Sequence, residues 1–127
     1  MTTYSESETS RTLSVIEQFN DAFNRRDVDA VMTLLTDDVI FENTSPFPDG
    51  KRLTGQSNVR AFWASLFAST PDAHFAAEDL FAVDDRCTVR WRYSFTSSDG
   101  TPGHVRGVDV FKVRDGKVSE KFAYVKG

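Results

Sequence analysis

The sequence predicts an α+β fold in which three N-terminal helices pack on one side of a mostly antiparallel sheet. Apolar residues recur at helical spacing through roughly the first 70 residues. From about residue 74 the pattern changes to alternation of apolar and polar residues, interrupted by short turns that contain Asp and Gly. A group of helices followed by a group of strands favours segregation of the helices to one side of the sheet.

The predicted helices cover about residues 9–25, a short segment after Asp27, and about residues 56–69. Asp27 suits the N-cap of the second helix, and Pro71 blocks continuation of the third. The apolar stripes of the three helices are, in order, Leu13, Ile16, Phe19, Ala22 and Phe23; Val28, Val31, Leu34 and Leu35; and Val59, Phe62, Trp63, Leu66 and Phe67. Residues 1–8 are polar, so we expect a flexible tail there and one domain over residues 9–127.

Five strands are predicted, beginning with a short one at residues 39–43. A loop with two prolines and a glycine follows at residues 44–51. The remaining strands lie at about 74–83, 86–97, 103–114 and 117–126, and turns at 84–85, 98–100 and 115–116 connect them.

Composition excludes several classes of function. The 127 residues carry a net charge of −4 and a pI of about 5.1, so nucleic acid is not an expected partner. No apolar run is long enough to span a membrane, and no signal peptide is apparent, so we expect a cytoplasmic protein. Cys87 has no partner for a disulfide. His74 and His104 show no metal-ligand spacing with Cys, Asp or Glu, so we expect no metal.

Asp109 is the most informative residue for function. In the predicted strand at 103–114, alternation places it on the same face as Val105, Gly107, Phe111 and Val113. A carboxylate on an apolar face is costly unless it is paired, hydrogen-bonded or protonated. The sequence therefore leaves open an acid/base or ligand-binding role and a structural ion pair.

The hairpin at Asp115-Gly116 decides which residue lies opposite Asp109. A two-residue turn would place Phe122 opposite Asp109, and a three-residue turn with a bulge would place Lys121 there. The second register would bring Lys121, Ala123 and Val125 to the same face and would pair Lys121 with Asp109. In a low-dielectric cavity, such a pair would hold both groups in their charged forms.

Four stretches resemble the nuclear transport factor 2-like superfamily in its SnoaL-like branch. They read FNRRDVDAV at 23–31, LTDDVIFEN at 35–43, GQSNVRAFW at 55–63 and GVDVFKVRDGKV at 107–118. The resemblance extends over about residues 10–125. It implies that the helices and a curved, mostly antiparallel sheet form a cone with an internal pocket, but it leaves the function open because this fold hosts unrelated activities.

The catalytic branches of the superfamily match this chain only in part. Ketosteroid isomerase-like members use an aspartate base and a tyrosine at positions occupied here by Asn43 and Phe19, and only their late-strand aspartic acid is matched, by Asp109. Limonene epoxide hydrolase-like members share Asn43 but have a carboxylate where this chain has Ala123, and their Arg-x-Asp motif falls on Arg90-Trp91-Arg92. SnoaL-type polyketide cyclases are compatible with Asp109, yet their histidine has no match, since His104 lies on the other face.

We therefore expect a cofactor-free enzyme, an isomerase, cyclase or lyase, that acts on a small apolar, oxygenated molecule. Its catalytic residues would be Asp109 and Asn43. The expected substrate-binding residues are Phe19, Phe41, Trp63, Trp91, Tyr93, Phe111, Lys121 and Ala123. The alternatives are a non-catalytic ligand-binding module and a protein-interaction module. The basic outer face of the sheet, with Arg90, Arg92, Arg106 and Lys112 beside Glu120, predicts a homodimer interface.

Overall fold

The computed structural model describes residues 6–126, in which three helices pack on a curved, mostly antiparallel sheet of six strands. The elements are α1 Glu6–Asn24, α2 Val28–Thr33, β1 Leu35–Glu42, β2 Arg52–Thr54, α3 Gln56–Ser69, β3 His74–Val83, β4 Arg86–Thr96, β5 Pro102–Arg114 and β6 Lys117–Val125. The strand order is β2-β1-β6-β5-β4-β3, and only the β1–β6 pair is parallel. The predicted α+β class and its order of elements are confirmed.

Two predicted boundaries are corrected, and the structure adds one strand. Helix α1 begins at Glu6, so positions 6–8 of the predicted tail are helical, and positions 1–5 lie outside the described residues. Leu35 begins β1 instead of ending α2, because it pairs with Val118 of β6. Strand β2 was not predicted: its three residues are exposed or half-buried, so they carry no apolar alternation.

Helix α1 is fixed to the sheet by polar contacts at two points along its length. Near its end, the Asn24 amide both donates to the Phe75 carbonyl, at 2.7 Å, and accepts from the Phe75 N–H, at 2.8 Å. Earlier in the helix, the Thr12 hydroxyl donates to the Asp84 carbonyl, and the Asp84 N–H donates to the Thr9 hydroxyl. These contacts set the position of the Phe19 and Phe23 rings above the inner face of the sheet.

The β5–β6 hairpin follows neither predicted register. Asp115 and Gly116 have φ angles of 55° and 77°, as in a two-residue type I′ turn. The pairing then shifts between Lys112 and Val113, where β6 carries one extra residue, and Asp109 lies opposite Ala123. Because of the bulge, Lys121 and Ala123 lie on the same face of the sheet as Asp109, as the three-residue turn would also have placed them.

The outer face of the sheet carries the predicted basic stripe. Within the described residues, Arg106 donates to the Glu78 carboxylate at 2.7 Å. Lys112 lies opposite Glu120 in the same chain, so the stripe has acidic neighbours of its own. Dimerisation through this face stays a prediction. None of the described helices has the length and apolar character needed to cross a bilayer.

Candidate active site

A cavity of about 180 Å³ lies between the helices and the inner face of the sheet. Aromatic and aliphatic side chains make most of its wall, and a few polar groups interrupt them. Its lining residues are Phe19, Asn20, Phe23, Phe41, Asn43, Thr44, Phe62, Trp63, Leu66, Phe75, Trp91, Tyr93, Val105, Asp109, Lys121, Ala123 and Val125. An apolar cavity with a few convergent polar groups is the usual form of a small-molecule site.

The cavity brings together all the predicted site residues except one. Phe111 is not in the lining: its ring is completely buried behind the wall and packs edge-on against Phe19, with ring centroids 5.6 Å apart. Its position on the inner face was predicted correctly from alternation. Some inward-facing side chains border the cavity, however, whereas others are buried beneath them. Alternation in the sequence shows only that a residue faces inward and not which of these two positions it takes.

Asp109 is the one carboxyl group in the wall, and its side chain is 2% exposed. Its Oδ1 atom lies 3.3 Å from Nζ of Lys121, whose side chain is 8% exposed. The contact is an ion pair without hydrogen-bond geometry, since Oδ1 of Asp109 has no hydrogen-bond partner within residues 6–126. The indole nitrogen of Trp91, which also lines the cavity, has none either. The predicted Asp109–Lys121 pair therefore forms, but diagonally across the two strands.

Burial raises the pKa of the Asp109 carboxyl above its ordinary value, because desolvation disfavours the charged form. The charge of Lys121, contact with its ammonium group and the nearby Trp91 indole each lower the same pKa, but together they do not offset burial. Burial, with a smaller effect from Asp109, also raises the pKa of the Cys87 thiol to about 11. Asp109 thus combines a raised pKa with access to the cavity, as suits a proton-transfer group.

The Lys121 ammonium group is held among aromatic rings. Its Nζ atom lies 4.8 Å from the ring centroid of Phe41, 5.9 Å from that of Trp63 and 5.8 Å from that of Phe111. The negative faces of aromatic rings attract a cation at these distances. The rings therefore supply part of the stabilisation that water would give an exposed lysine.

Asn43 supports the loop that borders the cavity. Its Oδ1 atom accepts hydrogen bonds from the backbone N–H of Lys51, at 2.8 Å, and of Ser45, at 3.3 Å. Two backbone donors identify this atom as the oxygen, so the amide NH2 is the other group. That NH2 has no acceptor among residues 6–126, which leaves it free to donate to a ligand oxygen.

Substitutions at Asn43 should separate its two contacts. We expect Asn43→Ala to lower the free energy of unfolding by about 1–3 kcal/mol, because two backbone donors lose their acceptor. Asn43→Asp keeps the acceptor and should retain more of the stability, while it removes the NH2 donor and any ligand contact that depends on it. Chemical denaturation measures the first effect and ligand affinity the second. Equal loss of stability in both variants would contradict this division.

Tyr93 contributes its ring to the wall, but its hydroxyl is engaged elsewhere. The hydroxyl oxygen lies 2.9 Å from the Thr70 hydroxyl and accepts from the Arg26 guanidinium at 3.4 Å. Tyr93 therefore does not offer a free hydroxyl to a ligand.

Several lining residues were not predicted as site residues. The helical ones, Phe23, Phe62 and Leu66, lie on the predicted apolar stripes, so their spacing could have indicated them. Asn20 and Thr44 carry no such pattern, and only the folded arrangement shows that they border the cavity. Within residues 6–126, no group of three His, Cys, Asp or Glu side chains is arranged to hold a metal ion.

The SnoaL-like domain family matches residues 16–121, and the chain belongs to this family. Its structure is similar to that of an NTF2-like protein of unknown function from Mesorhizobium loti. The two are 35% identical with a TM-score of 0.82, and the similarity covers 100% of each chain. A search of curated proteins finds no match.

More distant structures share the fold. A Jannaschia sp. CCS1 protein named as a SnoaL-like polyketide cyclase is 18% identical with a TM-score of 0.82, over 99% of this chain and 92% of that one. A Catenulispora acidiphila protein with a ketosteroid isomerase-like fold was solved in complex with trimethylamine. It is 17% identical with a TM-score of 0.76, over 87% of this chain and 83% of that one.

Proposed function

We propose that this protein catalyses cofactor-free acid/base chemistry on a small, largely apolar molecule that carries oxygen. Isomerisation, cyclisation and dehydration are the reactions that such a site supports. The observation that carries the proposal is the buried Asp109 carboxyl, whose pKa is raised in an aromatic cavity. A carboxyl group whose pKa is raised is better suited to proton transfer than an ordinary, fully ionised carboxylate.

In the proposed reaction, the Asp109 carboxylate removes a proton from the carbon next to a carbonyl group. The electron pair of the C–H bond moves into an enolate, whose oxygen is the atom that gains negative charge. The Asn43 amide and the Lys121 ammonium group are donors that can stabilise this oxygen within a largely apolar wall. Asp109 then returns the proton to another atom of the same molecule.

The size of the cavity limits the substrate. A cavity of about 150 Å³ holds a benzene molecule, so about 180 Å³ suits a single ring with one or two substituents. A molecule with several fused rings would extend beyond the space between the helices and the sheet. The trimethylamine in the relative from Catenulispora acidiphila supports binding of a small molecule in this fold.

Exchange of carbon-bound hydrogen in D2O tests the proposal without knowledge of the natural substrate. Isomerisation, cyclisation and dehydration of a carbonyl compound can all begin with this proton transfer. We expect the protein to accelerate deuterium incorporation next to the carbonyl of cyclohexanone, 2-cyclohexenone or acetophenone, as followed by NMR. Asp109→Asn should lower the rate by roughly 10²–10⁴-fold, whereas Asp72→Asn, at an exposed carboxyl outside the cavity, should leave it unchanged. Unchanged exchange in Asp109→Asn would contradict the proposal.

A non-catalytic ligand-binding module is the second candidate. The 3.3 Å contact between Asp109 and Lys121 favours it, because a paired carboxylate can serve stability alone. Under this alternative the same ketones would bind in the cavity, but their exchange rate would equal that of buffer.

A further inference from the structure

Three of the polar groups that line the cavity, on Asn43, Trp91 and Lys121, present hydrogen-bond donors to its interior. Within residues 6–126, the Trp91 indole N–H and the Asn43 NH2 have no hydrogen-bond acceptor, and the Lys121 ammonium group pairs with the Asp109 carboxylate at 3.3 Å. The Asn43 oxygen is already used by two backbone N–H groups. Asp109 is the single anionic group that faces these donors.

We infer that the cavity selects an anion with a single ring, and that the anionic oxygen replaces Asp109 as the counter-ion of Lys121. Asp109 holds a proton in this complex. A one-ring carboxylate or a stabilised enolate has the required charge and size. The inference rests on the proposed function insofar as the ligand occupies the same cavity, but it requires no catalysis.

The aromatic rings make this exchange of counter-ions possible. Phe41, Trp63 and Phe111 surround Nζ of Lys121 at 4.8–5.9 Å, and their attraction does not depend on the state of Asp109. The rings therefore still surround the Lys121 ammonium group when Asp109 takes up a proton. The wall then carries one unbalanced positive charge, which favours an anion over a neutral molecule of the same shape.

Few other titratable groups face Asp109. Lys121 approaches it from β6, and Cys87 of β4 lies near enough to interact with its charge, but that thiol stays neutral because its pKa is about 11. Tyr93, on β4, engages its hydroxyl with Thr70 and Arg26. The lining residues from α1, α3 and β1 carry no titratable side chain. A proton taken up on anion binding is therefore assigned to Asp109.

Benzoate, benzamide and benzamidinium provide a matched test, because they share one shape and carry charges of −1, 0 and +1. The protein has two tryptophans, Trp63 and Trp91, and both line the cavity, so their indole N–H NMR signals report binding there. At pH 6 we expect benzoate to bind at least about tenfold more tightly than benzamide. Benzamidinium should bind more weakly than either.

The pH dependence distinguishes the role of Asp109 from that of Lys121. Because the complex holds a proton on Asp109, benzoate affinity should fall by up to about tenfold per pH unit as the pH rises past the pKa of that carboxyl. In Asp109→Asn the affinity should be independent of pH from 6 to 9 and at least as tight as in the unchanged protein. Lys121→Met should weaken the binding of benzoate by about tenfold or more. Asp109→Asn/Lys121→Met should weaken it by a similar factor, and this double variant leaves no unpaired charge buried in the cavity wall.

Each contrary outcome has a distinct meaning. Equal affinity for benzoate and benzamide, or a preference for benzamidinium, would overturn the inference. Such a result would still demonstrate that the cavity binds a small ligand. Benzoate binding that persists in both Lys121 variants would also overturn it. If none of the three molecules shifts the indole signals, the inference fails, and the ketone exchange experiment then decides the proposed function by itself.

Discussion

Lys121→Met is expected to lower the free energy of unfolding by about 3–5 kcal/mol at neutral pH. The substitution keeps the length and most of the volume of the side chain, so packing against Phe41 and Trp63 changes little. It removes the partner of Asp109, which is 2% exposed and has no other cation among the cavity-lining residues. The cost is that of a carboxylate left alone in an apolar wall, or of the proton that it must take up.

Two comparisons test this explanation. Asp109→Asn/Lys121→Met removes both charges and should recover much of the loss, because no charge remains unpaired. The loss in Lys121→Met should also shrink as the pH falls. A carboxyl with a raised folded-state pKa stabilises the fold most below its unfolded-state pKa, and this contribution is lost as the pH rises through the folded-state value.

Chemical denaturation at several pH values measures these effects. Lys117→Met, at an exposed position of the same strand, is the matched control and should change stability by less than about 0.5 kcal/mol. A loss in Lys121→Met that does not vary with pH, or that persists in the double variant, would show that packing and not charge explains it.

Gly107→Ala is expected to destabilise the protein by about 3 kcal/mol. A Cβ atom at this position would lie 2.2 Å from the Tyr124 carbonyl oxygen and 2.7 Å from Cζ2 of Trp91. The first contact is with backbone and cannot be relieved by a rotamer change. The Trp91 ring occupies the space that a side chain at position 107 would fill. The position of this ring beside Asp109 therefore requires a glycine at position 107.

Gly103→Ala is a close control on the same strand and the same face. Its Cβ would meet the far end of the Phe95 ring at 2.9 Å, and that side chain can move. We expect a loss of less than about 1 kcal/mol there. Thermal unfolding compares the two variants, and the Trp91 indole signal reports whether Gly107→Ala displaces the ring. Equal stability of the two variants would contradict the close approach at Gly107.

The sequence predicts the fold well because the pattern of apolar residues changes period once, near residue 74. Helix α3 has the predicted limits, and strands β3 to β6 end within one residue of prediction. The inner face of β5 was also predicted, since alternation alone determines it. Strand β2 escapes prediction because β1 alone pairs with it and none of its residues is buried.

The register around Asp109 shows why the site is harder to predict. Val118 and Ser119 are consecutive buried residues in β6, and the Ser119 hydroxyl donates to the Lys112 carbonyl at the bulge. A single bulge exchanges the inward and outward faces of all residues beyond it in the strand. A two-residue turn followed by a bulge therefore turns the same residues of β6 inward as a three-residue turn does. Lys121 was therefore placed on the correct face, although its partner across the strand is Phe111.

The dual use of Asn43 could not be read from the sequence either. The type of residue suggested a ligand contact or a loop cap, and the structure assigns its oxygen to the loop. The Asn43 oxygen is occupied because the loop folds back and brings the Lys51 N–H, next to Gly50, to Asn43. The φ angle of Gly50 is 70°, and a Cβ there would lie 2.0 Å from the Asn43 carbonyl oxygen. Spacing in the sequence does not encode this approach.

The pKa of the Asp109 carboxyl tests most directly whether the cavity holds a proton-transfer group. A carboxyl-carbon NMR titration measures it, with Asp109→Asn to assign the signal. We expect a pKa above the ordinary aspartate value of about 3.9, because burial outweighs the attraction of Lys121. A pKa at or below that value would show that the ion pair dominates, and Asp109 would then be a structural carboxylate and not an acid/base group.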